Sequence, residues 1–313
     1  MRDGCRRFDQ QKSRPPMTAF SPPTADARPA PGRYKRNLII ARLARLPWWV
    51  LLAALLILAF AFAVAPDPTY QRVWAEVQQG IGVTLFVTFV AYACSLVLGL
   101  VLALLRRSKH IVVYQLVTLY VEVVRGIPTL VLVYYVVLAA APAAVQAVAS
   151  LGAWMVANGV FTGLGAALAE LTTRDVSNVA RAIIGLTISY SAFLSEVFRA
   201  GIDSIEYGQH EAGTSLGMTR WQVMRLIILP QALRNILPPL ANDFIAMLKE
   251  SSLVSIVGVN DITRQGATFA SANFVFFQSY NVIALTYLVL TLSLSLAVKV
   301  LERWLDRSRR QRG

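Results

Sequence analysis

Long apolar runs alternate with short polar breaks along this chain, with a spacing that suits spanning helices rather than strands. The runs are Pro47–Ala65, Ile81–Leu105, Ile111–Leu138, Val179–Ala200, Leu233–Val257 and Asn281–Leu301. Hydrocarbon is crossed by roughly 20 helical residues, and backbone polar groups can be satisfied there only within helices or closed barrels, so the pattern predicts an all-α, polytopic transmembrane bundle of about six spans. The fifth run is the least regular, because it holds Pro238, Pro239, Asn242, Asp243, Lys249 and Glu250. Residues 141–169 carry no charge and form one further candidate.

Charge decides how that candidate is read. With the N-terminus in the cytoplasm, the inner flanks hold the tail positives from Arg2 to Arg45, then Arg106, Arg107, Lys109, Arg199, Arg220, Arg225, Arg234, Lys299 and the arginines from Arg303 to Arg312. The outer flanks hold only Arg72, Arg174 and Arg264, with Arg181 at an outer helix start. Positive residues favour the cytoplasmic side. A further crossing at 141–169 would put every later loop on the wrong side, so 141–177 is expected to be an extracytoplasmic helical insertion lying on or dipping into the membrane. Both termini are then cytoplasmic, in a multi-pass protein of the plasma or inner membrane.

Composition agrees with a membrane class: 56% of the 313 residues are hydrophobic and mean hydropathy is +0.54. The net charge of +13 sits mostly in the tails and short loops, as in cytoplasmic flanks, and not along a groove for nucleic acid. Residues 1–46 are basic and Pro-rich and are expected to be disordered, with 47–65 a retained extra span, 80–303 the main membrane domain and 304–313 a basic C-terminal tail. Cys5, Cys94, His110 and His210 are scattered, with no disulfide, metal or nucleophile–base spacing, which argues against an enzyme.

The loop 201–231 is cytoplasmic on this topology and has the grammar of two short helices. Gly208 can begin the first, and Gly217 suits the left-handed position after its last turn. Thr219 and Gln222 make a capping box, Met218 and Val223 a hydrophobic staple, and Leu229-Pro230 is expected to end the second helix. An interfacial amphipathic pair is one reading. Glu206 and Glu211 among apolar neighbours fit docking into a protein groove better.

These residues resemble a known family. Glu211-Ala212-Gly213, Gly217 and then Ile227-x-Leu229-Pro230 look like the EAA loop of ABC-importer permeases, with Gly213 in place of Ala, a departure expected to loosen the first helix. "VEVVRGIPTLV" (121–131), "SAFLSEVFRAGIDSIEYGQHEA" (191–212), "LPQALRNILPPLANDF" (229–244) and "LKESSLVSIVGVNDITR" (248–264) resemble the polar amino-acid permeases of the histidine/glutamine type. The resemblance covers about residues 80–303 and implies the type I importer permease fold, a five-span core plus here an N-terminal span. It implies a coupling helix with Glu211, Ala212, Gly213, Gly217, Leu229 and Pro230, seated in a cytoplasmic ABC ATPase present in two copies. It further implies a solute-binding protein outside and a second permease, the same chain or a homologue. No lysine follows a glycine, so no Walker A loop is present. The chain itself is expected to hold no cofactor, with ATP and Mg on the partner ATPase.

Ionisable residues within spans are functional candidates. Glu122 and Arg125 stand one helical turn apart and can pair, just before the break expected at Gly126-Ile127-Pro128. They either brace that kink or touch the solute. Asn242, Asp243, Lys249 and Glu250 offer both charge signs, as a zwitterion needs, or form a gate held by ion pairs. Glu196 reads as structural. An ion-driven secondary transporter is the alternative, but no internal repeat supports it.

Overall fold

A computed structural model describes residues 66–310, with side chains to Val300, and single helical positions at Leu52, Leu55, Ile57, Leu58, Ala59 and Phe62. Residues up to Leu58 form a unit of their own; the rest of the chain is the second unit, described below. The expectations for 1–46, and for 47–65 apart from those six positions, lie outside the described residues.

All regular secondary structure among the described residues is helical. In chain order the elements are α1 (Pro68–Leu105), α2 (Ile111–Gly126), α3 (Thr129–Tyr135), a π-turn (Val136–Ala140), α4 (Ala141–Ala157), α5 (Thr162–Ala169) and a 3-10 turn (Thr173–Asp175). Then follow α6 (Asn178–Asp203), α7 (Tyr207–Ser215), α8 (Arg220–Val223), a second π-turn (Met224–Ile228), α9 (Leu229–Glu250), a 3-10 segment (Ser251–Val257), α10 (Ile262–Asn273) and α11 (Phe276–Arg310). Four helices among the described residues are long and apolar enough to cross a bilayer: Pro68–Leu105, Thr129–Ala157, Asn178–Asp203 and Phe276–Val300. The helix of α11 continues through Arg310, so most of the expected C-terminal tail is helical.

One expectation about the spans needs correction. The third run, Ile111–Leu138, is interrupted at the expected Gly126-Ile127-Pro128 break. Ile127 and Pro128 are extended, because proline disfavours helical geometry in the residue before it, and α2 ends at Gly126. Its continuation from Thr129 does not stop at Leu138. It passes through the π-turn into α4, so 141–157 is the far part of a spanning-length helix and not a separate insertion. After it the chain folds back at Phe161, in left-handed conformation at φ 45°, into α5. Gly152 permits that close return, since a Cβ there would lie 2.5 Å from the Ala169 amide nitrogen.

Both π-turns solve the same problem. Each ends two residues before a proline, Pro142 or Pro230, which lacks a backbone N–H and crowds the carbonyl four residues back. The Ala141 amide reaches the Val136 carbonyl, and the Leu229 amide the Met224 carbonyl, so the widened turn keeps the helix going. Leu229-Pro230 therefore does not end its helix, as the sequence suggested: Arg220–Glu250 is one rod, about 46 Å long at 1.5 Å per residue.

The core is built on α1 and α6, which approach closely where Gly99 faces the Leu194 Cβ and the Ser191 carbonyl. Val87, Ala91, Leu186, Leu194, Ile236, Met247 and Val254 join α1, α6, α9 and the 3-10 segment after it in the main apolar cluster. A second cluster of Val73, Val77, Ile262, Val282 and Ile283 seats α10 against α1 and α11. There Asp261 is fully buried and caps α10: its Oδ1 accepts from the Arg264 amide at 2.8 Å and its Oδ2 from the Tyr287 hydroxyl at 3.2 Å. Burial raises its carboxyl above the ordinary aspartate pKa. Thr84 Oγ1 accepts from the Ile262 amide at 3.1 Å.

Gly80 allows this docking. A Cβ on it would overlap the Asp261 carbonyl carbon and the Ile262 nitrogen, which are backbone and cannot rotate away. Gly80→Ala is expected to destabilise the protein by about 2–3 kcal/mol, a typical cost of overpacking a close-packed site. Gly82→Ala, with nothing within 4 Å of its Cβ, is the matched control and is expected to be near neutral. Thermal unfolding in detergent, read by loss of the monodisperse chromatographic peak, compares them. Equal shifts for the two variants would show that α10 is not seated on α1 in this way.

Candidate functional site

The polar loop between α6 and α9 is built as a rigid corner. The Gly217 amide donates to the Thr214 carbonyl at 2.9 Å and the Met218 amide to the Gly213 carbonyl at 3.1 Å, while Gly217 takes φ 75°. That is a complete Schellman motif at the end of α7. The Thr219–Gln222 capping box is formed in both directions, at 3.3 and 2.8 Å. Met218 and Val223 both join the main apolar cluster.

Gly213 has a positive reason to be glycine. It is buried, and a Cβ there would stand 2.7 Å from Val223 Cγ2 and 3.0 Å from Ile227 Cδ1. With glycine at the Ala position of the motif, α7 packs directly on the rod. Glu211, Ala212, Gly217, Leu229 and Pro230 are exposed around this seat. The same corner presents Tyr207, Leu216 and Trp221 at 70–79% exposure. Sequence reasoning passed over these three, although unneeded aromatic and aliphatic residues in a polar loop are a readable signal of a docking surface.

The rod carries this corner directly to polar residues inside the bundle. On α9, Asp243 and Glu250 are half-buried while Asn242 and Lys249 are exposed. The Tyr190 hydroxyl of α6 faces Glu250, with Asp243 and Tyr92 close by. Tyr92 of α1 donates to the Leu240 carbonyl and its ring lies 5.0 Å from that of Phe244. Three helices thus converge on two carboxylates and two phenols. No ion pair links Asp243, Lys249 and Glu250 among the described residues, so a gate held by pairs within one chain is not formed here. Tyr92 and Tyr190 were illegible as site residues, because tyrosines in apolar runs have no spacing that distinguishes them.

The expected Glu122–Arg125 pair is absent. Glu122 is exposed, and Arg125 reaches instead to Glu196, at 3.7 Å, passing over the Phe193 ring. Glu196 is the hub of the 203 end of the bundle. It binds Arg106 in a close ion pair and Arg199 at 2.7 Å, and Arg199 and Arg107 hold Asp203 at 3.5 and 3.3 Å. For Arg125, Glu196, 71 positions further on, won the competition over Glu122 because packing brings it there, not because of helical spacing. The break at Gly126–Pro128 lies level with the middle of α6, where Thr129 meets Ser189 at 3.4 Å.

This arrangement of helices, with a capped corner between two spans, is the fold of a type I ABC-importer permease. A solved amino acid ABC transporter matches with a TM-score of 0.60 and 33% identity over 75% of this chain and 95% of that one. The methionine ABC transporter MetNI in an inward-facing conformation matches in fold, with a TM-score of 0.51 and 18% identity over 76% and 97% of the two chains.

Residues 95–311 match the family of binding-protein-dependent transport system inner membrane components, and the chain belongs to it. Its relatives include the probable amino-acid permease protein YxeN of Bacillus subtilis, 36% identical over 72% of this chain and 89% of that protein. The glutamine transport system permease protein GlnP of Escherichia coli is 30% identical over 75% and 96%. The protein is the membrane-spanning subunit of an ABC importer and a transporter component, not itself an enzyme. As a family, such permeases work with an ATPase and a binding protein.

Proposed function

We propose that this permease brings a polar amino acid, or a close relative such as an opine, into the cytoplasm. ATP with Mg is hydrolysed on two copies of a separate ATPase seated on the 201–231 corner. A second permease, the same chain or a homologue, completes the membrane unit, and a solute-binding protein delivers the solute outside. Both termini lie in the cytoplasm, consistent with the placing of the basic residues. The amino-acid reading draws on the relatives named above and on the two carboxylates facing the bundle interior.

The observation that carries the proposal is the unbroken rod from Arg220 to Glu250. A partner shifts an equilibrium only through contacts that differ between its states. Glu211, Ala212, Gly213 and Gly217 form the seat, and movement there passes through the Gly213–Val223 contact to the rod. Leu229 and Pro230 with their π-turn form the joint at which the rod enters the membrane. Asn242, Asp243, Lys249 and Glu250 then move with respect to Tyr92 and Tyr190, which alters the solute path. Glu122, Arg125 and Pro128 flank the break in the neighbouring helix and form its gate.

The sidedness is tested in a background of Cys5→Ser and Cys94→Ser with Leu216→Cys added, Leu216 being 79% exposed. An impermeant maleimide is expected to label the thiol in inside-out vesicles only, and bound ATPase to protect it. Labelling from the exterior in right-side-out vesicles would falsify the importer topology.

A further inference from the structure

A cleft of about 560 Å³ lies between the end of α6, α7 and the foot of α9. One wall carries Ser204, Glu206 and Gln209, and the other Gln231, Arg234 and Asn235. Two side-chain hydrogen bonds cross it. Asn235 Nδ2 donates to Ser204 Oγ at 2.9 Å, and Gln231 Nε2 to Gln209 Oε1 at 3.3 Å. These clips set the walls in register. Glu206 falls between the clipped positions on one side, and Arg234 falls between them on the other.

The two charges do not join each other. Among the described residues no ion pair includes Glu206 or Arg234. The clips leave hydrogen-bonding capacity unused beside them, in the amide NH₂ of Gln209 and the side-chain carbonyls of Gln231 and Asn235. The volume is that of a small-molecule site. The charges restrict its occupant: Glu206 repels phosphates and nucleotides, and Arg234 repels polyamines and metal ions. A molecule with one anionic and one cationic end satisfies both.

We propose that this cleft binds a free zwitterionic α-amino acid, with its carboxylate on the Arg234 guanidinium and its ammonium on Glu206. This rests on the reading that the corner faces the cytoplasm and that the cargo is an amino acid. The occupant would then be accumulated product. By bridging α6 and α7 to the foot of the rod it holds the lever in one arrangement, so a filled cytoplasm slows further uptake.

The test uses the whole importer, permease with ATPase, in lipid vesicles. Calorimetry without the binding protein measures binding of L-glutamine, L-glutamate and L-arginine, beside N-acetyl-L-glutamine and L-glutaminamide, each of which lacks one charge. At least one amino acid is expected to bind. The one-charge analogues, and the variants Glu206→Gln and Arg234→Gln, are expected to bind roughly tenfold more weakly or worse, the loss of one charged hydrogen bond. In uptake, preloading the vesicles with the bound amino acid is expected to slow wild type but not Arg234→Gln, while both fill empty vesicles at the same rate.

Absence of binding by every amino acid, binding unchanged in both variants, or slowing unchanged in Arg234→Gln would overturn the inference. An Arg234→Gln variant that fails in empty vesicles would also overturn it, by assigning the cleft to the lever itself. If wild type with its binding protein takes up no amino acid at all, the cargo reading fails, and the calorimetric arm still decides the cleft.

Discussion

Glu211→Lys is expected to abolish uptake while leaving the permease folded and inserted. Glu211 is exposed on α7 and its side chain has no hydrogen bond or ion pair among the described residues, so its replacement removes no side-chain contact that holds the fold. Glu and Lys are also near equals in helix propensity. The effect must therefore arise in a complex. Reversing a charge that is desolvated at an interface costs about 2–5 kcal/mol, with the facing cation left unpaired, which corresponds to roughly thirtyfold weaker association or more. Two measurements check this: ATP-driven uptake into vesicles, and the amount of ATPase that co-purifies with the permease. Unchanged uptake would remove Glu211 from the docking seat. Lost uptake with ATPase still bound would move its role from docking to transmission.

Glu196→Ala has the largest expected effect on stability, about 3–5 kcal/mol, because it strands a buried cation. The Arg106 side chain is 8% exposed and that of Glu196 17%, and Arg106 has no other anion to turn to among the described residues. Arg199→Ala removes a side chain that is 44% exposed from the same hub and is expected to cost about 1 kcal/mol or less. The double change Arg106→Met with Glu196→Ala should recover much of the loss, since the uncompensated charge is gone. Apparent melting temperatures of the three variants in detergent decide the matter. Equal destabilisation by Glu196→Ala and Arg199→Ala would mean that the hub is solvated and that Arg106 does not depend on it.

The contrast between these two residues shows how legibility varied. Glu211 was readable because its neighbours obey local rules: a glycine at the left-handed position, a capping box at fixed spacing and a staple. Such features act within a few residues and are written consecutively. The ending of that helix at Leu229-Pro230 was misjudged because a proline's cost can be met in two ways. Termination is the local answer, and a π-turn is the answer when the helix on both sides is held by packing. Ile228, Ala232 and Ile236 are all buried in the main cluster, which supplies that hold.

The same reasoning explains Arg125. Helical spacing offered Glu122 as its partner, and spacing alone had no knowledge of Glu196. That residue comes within reach only after α2, α3 and α6 have packed through Val121, Val124, Leu132 and Ala192. The site inside the bundle has the same character. Asp243 and Glu250 stand out in an apolar run on cost grounds alone, while Tyr92 and Tyr190 acquire meaning only from the convergence of α1, α6 and α9.

By itself, then, the order of residues determined the membrane class, its all-helical character, the break at Gly126–Pro128 and the capped corner at 207–222. Each depends on hydrophobicity or on hydrogen bonds between near neighbours, which are additive along the chain. Only the tertiary structure decided that the corner and the fifth span form one rod, that 141–157 prolongs a spanning helix, that Glu196 gathers the arginines and that Gly80 and Gly213 are close-packed seats. Those features depend on which surfaces meet, and a contact between distant positions has an energy only once the fold has brought them together.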